Sequence, residues 1–536
     1  MNPARRRWTS ALAAVIAAAM GGFSRFARAQ HAHTHAKPLR RLDLSPPAQA
    51  EPRALRLPGQ SGLLADVDLA RPLELTATIG WEPLLPGPTS DVWQYAGTTA
   101  DGRAVANPTL RVRRNAMLDV TLKNRLGDDT TIHWHGLMVD ERNDGSGLHP
   151  VRHGESQRYR FSVHNRGGLY WYHAHPHGGT GEQVHHGLAG LLIVEDRDEL
   201  ALREALDLRA GISDFPLLLS DKQFGLRNAI KYELGEDDWI GNKVLANWCA
   251  DARLDVPRRA CRLRLCNASN ARVYKLVFRA GRRILPYWLL GTDGGLLERP
   301  LRTDQVYLAP AQRVDLLIDF SALRSDEEVL MLGADYDPME NDGGMAAADP
   351  MLEHPGAPPM GAEQTLLRLR VAAGESRTLR PPAHLSTLPA ADFATAAPRK
   401  LKLWINDAGR WLINEWNFHL DHHNPAFEVR RGSLEIWELT NAIRSMPHPF
   451  HVHAFQFRVL SRSDSPAQIR RLAVDRDGRT PQDLGLMDTV LIWPGETVRI
   501  GLDFSQPFSG RQSYMFHCHN LEHEDQGMMV AFDVVD

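Results

Sequence analysis

One stretch near the C-terminus settles most of the architecture. It reads His517-Cys518-His519-Asn520-Leu521-Glu522-His523 and is followed by Met528. In an extended segment alternate side chains point to opposite faces, so Cys518 faces one way and its two flanking histidines face the other. A thiolate, an imidazole and a weak axial thioether are the ligands of a blue-copper electron-transfer site, which predicts that Cys518, His523 and Met528 bind one copper. The flanking histidines then reach a different metal, and one strand joins two metal centres through covalent bonds.

Further His-x-His pairs supply ligands for the second metal centre. A random arrangement of 24 histidines in 536 residues would give about one such pair. Besides His517 and His519, the pairs are His133–His135, His173–His175 and His451–His453. A polar strand face with surface imidazoles would explain one pair. It does not explain four, with two in each half of the chain.

The run His448-Pro449-Phe450-His451-Val452-His453 divides its ligands in the same way. An odd offset of three residues puts His448 on the face opposite to His451 and His453 in a strand. His448 therefore suits the blue site, and the other two suit the second cluster. Two separate segments thus predict the same pair of metal sites.

Together these motifs resemble the multicopper oxidases, the family of laccases, bacterial cuprous oxidases and ferroxidases. The resemblance covers roughly residues 70 to 536, although the middle third carries no ligand motif. It rests on four signatures in this order: Thr131-Ile132-His133-Trp134-His135-Gly136, Tyr170-Trp171-Tyr172-His173-Ala174-His175, His448 to His453, and His517-Cys518-His519 through Met528.

The resemblance implies four copper ions and twelve ligands. The type 1 copper takes His448, Cys518, His523 and Met528, and the type 2 copper takes His133 and His451. The type 3 pair takes His135, His173, His175, His453, His517 and His519. It also implies one-electron oxidation of a small reducing substrate, docked near His448 or His523 as the imidazoles closest to the surface, and four-electron reduction of dioxygen to water.

Two acidic residues match positions that relay protons in similar bacterial enzymes, namely Asp144 and Glu524. Asp144 is alternatively a turn former in Asn143-Asp144-Gly145-Ser146-Gly147. Glu524 and Asp525 are alternatively capping or solvated carboxylates on a short helical turn. The remaining histidines near the motifs, His177, His185, His186, His419, His422 and His423, are predicted to be incidental.

Short strands with frequent Gly and Pro turns indicate an all-β fold of sandwiches or Greek-key barrels. The family resemblance sharpens this to three cupredoxin-like Greek-key β-sandwich domains, at residues 70–200, 201–395 and 396–536. The first and last domains carry all the ligands, so the trinuclear cluster is predicted between them. The middle domain is predicted to act mainly as a spacer.

The N-terminus is typical of an export signal, which predicts a periplasmic protein. Arg5-Arg6-Arg7 precedes a short apolar stretch, and Ala27-Arg28-Ala29 fits a cleavage site, so residues 1–29 form the signal. Trp8 after the arginines resembles a twin-arginine signal, with an ordinary secretory signal as the alternative. Residues 30–69 are predicted to be a disordered leader, whose His31, His33 and His35 either scavenge metal weakly or are incidental.

The composition excludes some partners. A net charge of −3 with 24% charged residues gives no basic excess for nucleic acid. No segment is long and apolar enough for a membrane anchor, and we expect a monomer. Of the four cysteines, Cys249, Cys261 and Cys266 allow at most one disulfide, and the last two suit buried strand positions equally well.

The reducing substrate is the open question in the sequence. Met339, Met345, Met351 and Met360 resemble the methionine-rich insertion of cuprous oxidases, and thioethers select Cu(I). A flexible surface loop with incidental methionines is the alternative. Arg444 stands where related cuprous oxidases carry an acidic residue. Other metal ions and phenols therefore remain candidate substrates. Two other classes of copper protein are less consistent with the sequence. A non-enzymatic copper-resistance protein would not need the complete set of copper ligands found here, and a copper nitrite reductase would lack the four His-x-His pairs.

Overall fold

Strands make up almost all of the regular structure in the computed structural model, which describes residues 52–233, 238–342, 356–421 and 424–536. The predicted signal, residues 30–51 of the predicted leader, Met345, Met351, His422 and His423 lie outside the described residues. Within the described parts, no helix combines the length and the apolarity needed to cross a membrane.

The first domain contains two facing sheets around one apolar core. One sheet has the order β10-β11-β7-β3 and the other β2-β6-β5-β4-β8-β9. Its strands are β2 (Gly62–Leu63), β3 (Asp66–Asp68), β4 (Leu73–Glu82), β5 (Ser90–Thr98), β6 (Ala104–Ala106), β7 (Thr109–Arg113), β8 (Met117–Asn124), β9 (Ser156–Ser162), β10 (Gly168–His173) and β11 (Ala189–Glu195). In β4, buried Leu73, Leu75 and Ala77 alternate with more exposed residues, the period-2 pattern of a strand with one face on the core.

The middle domain repeats this plan with larger sheets. The strand orders are β1-β16-β25-β24-β18-β19, with β22 beside β18, and β15-β14-β12-β17-β23-β20-β21, with β13 beside β12. The strands are β1 (Arg53–Ala54), β12 (Asp214–Phe224), β13 (Ile230–Lys231), β14 (Lys243–Ala246), β15 (Cys249–Ala250), β16 (Ala252–Val256), β17 (Ala260–Asn267), β18 (Tyr274–Ala280), β19 (Arg283–Leu285), β20 (Tyr287–Thr292), β21 (Gly295–Thr303), β22 (Val306–Leu308), β23 (Arg313–Asp319), β24 (Glu328–Ala334) and β25 (Gln364–Val371). All four cysteines of the chain are buried and free, so Cys261 and Cys266 are core residues of β17 and not disulfide partners.

The last domain follows a connecting segment, residues 372–397, that contains no strand beyond an isolated bridge at Arg377. Its sheets have the orders β27-β26-β29-β34-β31-β32 and β28-β36-β35-β30-β33. The strands are β26 (Pro398–Ile405), β27 (Trp411–Ile413), β28 (Glu428–Arg430), β29 (Leu434–Asn441), β30 (His448–Val452), β31 (Phe457–Ser463), β32 (Leu486–Met487), β33 (Thr489–Ile492), β34 (Thr497–Asp503), β35 (Gln512–Cys518) and β36 (Met529–Val535). Aromatic rings around buried Trp437 fill the space between its two sheets.

The helices are short and lie in the connections between strands. They are α1 (Glu141–Asp144), α2 (Thr180–His186), α3 (Arg197–Ala205), α4 (Phe418–Asp421), α5 (Ala467–Arg470) and α6 (Leu521–Asp525), with 3-10 turns at Leu226–Asn228, Glu340–Asp342 and Pro481–Leu484. Of these, α1, α2 and α6 flank the histidine motifs. The prediction of an all-β architecture is therefore confirmed in the described parts.

The prediction of a disordered leader at residues 30–69 is wrong for residues 52–69. Strand β1 pairs with β16 of the middle domain, β2 with β6, and β3 with β7. Buried Leu64 and Val67 tie this stretch to the apolar interior. The proline and alanine content of the preceding residues masked this short strand pattern.

Candidate metal centre

Backbone pairing brings the four histidine motifs together two by two. Strands β30 and β35 are antiparallel neighbours with His451 opposite His517. In the first domain, His133 and His173 form an isolated antiparallel bridge, with N–H to C=O distances of 2.8 and 3.1 Å. Because each pairing fixes the register of both partners, each domain presents its two motifs side by side at the contact between the domains.

A tight cluster of one thiol and two imidazoles forms on one side of β35. His448 Nδ1 lies 3.2 Å from Cys518 Sγ and 3.3 Å from His523 Nδ1, and Cys518 Sγ lies 3.6 Å from His523 Nδ1. Met528 is fully buried beside them, and its carbonyl accepts the N–H of Cys518 at 3.1 Å. These spacings suit three ligand atoms converging on one soft metal ion.

Eight buried histidines gather on the opposite side, four from the first domain and four from the last. Ring nitrogens of His175 and His453 lie 3.3 and 3.1 Å from His517 Nε2. His173 Nε2 lies 3.4 Å from His135 Nδ1. Four three-residue groups in this cluster fit a metal: His133/His135/His173, His133/His451/His453, His175/His453/His517 and His135/His451/Asp488. His519 joins this cluster, with its ring centroid 5.0 Å from that of His135.

Three histidines of the cluster have a buried ring nitrogen available to bind a metal ion. Among the described residues, Nε2 of His133, His451 and His519 is buried without a hydrogen-bond partner. Buried polar atoms normally have one. Burial lowers the pKa of each of these three rings well below its ordinary value. Neutral rings with inward lone pairs are what a cation requires of imidazole ligands.

Comparison with known proteins agrees with this arrangement. Family models described as multicopper oxidase match residues 87–199 and 392–536. The crystal structure of the McoA multicopper oxidase from the hyperthermophile Aquifex aeolicus superposes with a TM-score of 0.80 at 31% sequence identity, and the match covers 91% of this chain and 100% of that chain. The chain belongs to the multicopper oxidase family.

Curated relatives of this multicopper oxidase include a laccase. The multicopper oxidase mco of Staphylococcus aureus is 29% identical, over 81% of this chain and 83% of that protein. The laccase of Bacillus subtilis is 28% identical, over 84% of this chain and 91% of that protein. The prediction of three cupredoxin-like domains is confirmed, and so are an oxygen-dependent oxidase activity and four copper ions as cofactors: one type 1, one type 2 and a type 3 pair.

Outward hydrogen bonds orient the ligand rings of this multicopper oxidase. The Nδ1–H groups of His133, His173 and His451 donate to backbone carbonyls at 2.8, 2.9 and 2.7 Å. Each bond fixes the tautomer that leaves Nε2 free to bind metal. His135 is the reverse case, because its Nε2 contacts a carboxylate oxygen of Asp488 at 3.0 Å and its Nδ1 points inward.

The two predicted proton-relay residues both contact ligand rings. Asp144 Oδ2 lies 2.8 Å from His453 Nδ1, and burial raises the pKa of the Asp144 carboxyl. Asp144 also ends helix α1, whose C-cap is the following Gly145 at φ 71°, so it stands at a turn as well. Glu524 is buried between His517 Nδ1 at 3.1 Å and His175 Nδ1 at 3.4 Å, so it is not a solvated carboxylate.

The neighbouring acidic residue and the extra histidines have other roles. Asp525 caps the start of α2, accepting the N–H groups of Thr180 and Gly181 at 2.9 and 2.7 Å. His185 Nε2 accepts the Trp239 indole N–H at 3.1 Å, and His177 lies 3.1 Å from His419. None of the described extra histidines belongs to a three-ligand group of the cluster.

A buried charge network that the sequence analysis missed reaches the cluster from the middle domain. Arg313, at the start of β23, donates to both carboxylate oxygens of Asp488 at 2.8 and 2.5 Å. Asp293 accepts the backbone N–H of Arg313 at 2.7 Å and that of Thr489 at 3.2 Å. Asp488 of the last domain also contacts His135 of the first domain. Arg313 of the middle domain therefore positions His135 through Asp488. The middle domain is therefore more than the predicted spacer.

Gly136, directly after His135, is required by this network. A Cβ at this position would lie 2.2 Å from Asp488 Oδ2 and 2.8 Å from Arg313 Nη2, and the residue has φ 81°. Only glycine accepts both the close approach and the positive φ without strain. The glycine of the His133-Trp134-His135-Gly136 signature could have indicated a crowded backbone, although not its partners.

Proposed function

We propose that this multicopper oxidase is an exported, periplasmic enzyme that oxidises cuprous ions and serves copper tolerance. The observation that carries this proposal is a small cavity beside the type 1 ligands. Its walls include the thioethers of Met339, Met360 and Met446 and the carboxylate of Asp238. Thioether and carboxylate together suit a soft cation that arrives with one positive charge.

The size of this methionine cavity favours an ion over an organic molecule. Its volume is about 10 Å³, close to the minimum that holds one water molecule. Met360 is held in place by the N–H of Val273, which lies 3.5 Å from its sulfur. Asp238 Oδ1 lies 3.8 Å from Nε2 of the type 1 ligand His523. The carboxylate of Asp238 therefore lies between an ion in the cavity and the imidazole of His523.

The covering of the type 1 ligands argues in the same direction. We expected His448 or His523 to approach the surface, but both are fully buried. The indole of Trp411 stacks on His523 with ring centroids 3.8 Å apart, and Ser445 Oγ lies 2.7 Å from His448 Nε2. A phenol thus contacts neither imidazole. Arg444 is exposed, and Asp238 supplies the acidic group that the sequence lacks at position 444.

The reducing substrate is tested by oxygen uptake of the copper-loaded enzyme with Cu(I) and with 2,6-dimethoxyphenol. We expect rapid uptake with Cu(I), and phenol oxidation only after Cu(II) is added. Replacing both Met339 and Met360 with leucine should raise KM for Cu(I) by about 10-fold, the lower end of what losing a supporting metal contact costs. The type 1 absorption should remain, because neither residue is a type 1 ligand.

Met117→Leu is the matched control, because Met117 is an exposed methionine on β8. It should leave KM for Cu(I) unchanged. Direct phenol turnover without added copper, together with an unaltered KM for Cu(I) in the double variant, would instead identify a laccase. The B. subtilis relative makes that the main competing activity.

We also propose that Asp144 and Glu524 relay to the cluster the protons that oxygen reduction consumes. When bound, the trinuclear copper ions supply the electrons that reduce dioxygen to water. The carboxylates lie on the outer nitrogens of His453, His517 and His175, where a proton can be held without displacing a ligand nitrogen from the metal side. Both are nearly excluded from solvent, so each can pass protons that originate in bulk water to the cluster one at a time and then be protonated again.

Glu524→Gln should slow the oxygen-consuming half of the reaction by about 100-fold, the lower end of a general acid's contribution. The amide keeps the shape of the side chain but donates no proton. The measurement is stopped-flow reoxidation of the fully reduced enzyme by dioxygen. Asp525→Asn, one residue along the same helix, should lower stability through the α2 cap and leave reoxidation nearly unchanged. Equal slowing in both variants would assign Glu524 a structural role.

Export is supported by the sequence alone. Arg5-Arg6-Arg7, the apolar stretch that follows and Ala27-Arg28-Ala29 have the order of a twin-arginine-like signal. Cell fractionation tests it: a mature protein in the periplasm supports the proposal, and a full-length cytoplasmic protein contradicts it.

A further inference from the structure

A cleft of about 260 Å³ lies where the first domain, the connecting segment and the last domain meet. Three arginines line it: Arg114 and Arg166 from the first domain and Arg458 from β31. His164 lies beside them, and Asp503 is the one acidic residue in the lining. The cleft therefore carries an excess of positive charge.

Within the described residues none of these three arginines has an acidic oxygen within 4.0 Å of its guanidinium. Carboxylates act on two of them only at longer range, Asp196 and Asp198 on Arg166 and Glu298 on Arg458. Their hydrogen bonds go to backbone carbonyls and, from Arg166, also to Ser386 Oγ at 2.6 Å. Arg114 Nε donates to His164 at 3.1 Å, Arg166 donates to Gly294 and Leu296 at 3.1 and 3.0 Å, and Arg458 donates to Pro389. Burial lowers the pKa of Arg166 and of Arg458, which expresses the cost of holding these charges away from water.

Apolar side chains also line the arginine cleft. They include those of Met138, Phe393, Phe455 and Leu486. The ring of Phe393 packs on Gly501, where a Cβ would lie 2.7 Å from the ring carbons. The connecting segment thus places an aromatic ring in the cleft, and the absence of a side chain at Gly501 leaves room for it.

We propose that the arginine cleft binds a small aromatic carboxylate. Its carboxylate faces the guanidinium groups, which are suited to paired hydrogen bonds with planar anions. Its ring packs on the half-buried Phe393, in the offset or edge-to-face contacts that aromatic pairs prefer. The volume lies just below the range of drug-sized ligand sites, which selects a single-ring compound. Binding places a carboxylate beside guanidinium groups that form no direct ion pair within the described residues.

This site is separate from the ligand clusters and from the methionine cavity. None of the twelve predicted copper ligands lines the cleft, although Ala454 at its edge directly follows His453. Binding should therefore leave the copper spectra unchanged, which distinguishes the cleft from direct binding of an anion to copper.

Isothermal titration of the copper-loaded, full-length protein with benzoate tests the proposal. We expect saturable binding of benzoate and at least about 10-fold weaker binding of benzyl alcohol, which has the ring without the charge. Inorganic sulfate, which has the charge without the ring, should also bind at least about 10-fold more weakly. Arg114→Gln and Arg458→Gln should each weaken benzoate binding by about 10-fold, as expected for loss of a charge-assisted hydrogen bond.

Arg324→Gln is the matched control, because the Arg324 side chain is 91% exposed and lies outside the cleft. It should bind benzoate like the wild type. Unchanged benzoate affinity in both cleft variants overturns the proposal. So does equal binding of benzyl alcohol or of sulfate, or a change in the type 1 or type 2 copper spectrum on adding benzoate. A variant that fails to fold, as judged by loss of its copper spectra, is replaced by the lysine variant at the same position, which should retain binding.

Discussion

Cys518→Ser should abolish both the blue absorption and the oxidase activity of this protein. Cys518 supplies the one sulfur anion in the group His448/Cys518/His523, and serine offers a hydroxyl that stays protonated in an apolar site. The same residue is joined by peptide bonds to His517 and His519, so the predicted ligand set makes it the covalent path between the two metal centres. We expect a loss of more than about 100-fold, beyond the 10- to 100-fold that follows removal of a supporting residue around a metal.

The serine variant should nevertheless keep its trinuclear copper, because all eight histidines of that cluster are untouched. Copper analysis should find three ions per chain in place of four, and the type 2 signal in electron paramagnetic resonance should remain. Cys261→Ser is the control, since Cys261 is equally buried but belongs to the core of the middle domain. It should stay blue and active. A blue, active Cys518→Ser protein would refute the assignment of the type 1 site.

The metal centres could be predicted from the sequence because their chemistry is local. In a strand, the His-x-His spacing places both imidazoles on the same face. The antiparallel pairing of β30 with β35 then sets His451 opposite His517, so the imidazoles of both motifs lie side by side. The contacts of Asp144 and Glu524 with the histidine rings could be expected for the same reason, since Asp144 lies nine residues after His135 and Glu524 directly follows His523.

The supporting network could not be predicted because its members are far apart in the chain. Asp488 and His135 are separated by 353 residues, and neither Asp488 nor Arg313 stands in a ligand motif. Sequence analysis rarely predicts that an arginine is buried, because moving its charge away from water is costly unless the charge is paired. Only the packing of three domains brings Arg313, Asp488 and Asp293 together. The order of residues 52–69 was missed for a similar reason, since β1 gains its partner from the middle domain.

Arg313→Met should weaken copper binding at the trinuclear cluster without removing any ligand. Arg313 is fully buried, and its loss leaves Asp488 and Asp293 as two buried carboxylates without their cation. Asp488 is then free to turn or to bind a proton, and His135 loses the contact that fixes its tautomer. We expect a 10- to 100-fold loss of activity, as is common when the partner of a metal-binding histidine is removed, on the order of 1.4 to 2.7 kcal/mol.

The spectra separate a positioning role of Arg313 from a general loss of stability. Copper content should fall toward the type 1 ion alone, and the type 2 signal should weaken or change its hyperfine splitting, while the blue absorption persists. Arg262→Met is the matched control. Arg262 is equally buried and bonds two carboxylates, Glu199 and Asp214, but it contacts no copper ligand. It should lower the melting temperature and leave both copper spectra unchanged.

Arg313→Lys should restore part of the effect, because lysine keeps the positive charge but cannot donate to both Asp488 oxygens in one plane. Intermediate copper content in the lysine variant, between wild type and Arg313→Met, would show that charge and geometry both matter. Identical copper spectra in Arg313→Met and wild type would mean that His135 is held without Asp488. The middle domain would then act only as a spacer. The contacts from Arg313 to Asp488 and from Asp488 to His135 would have no part in forming the copper cluster.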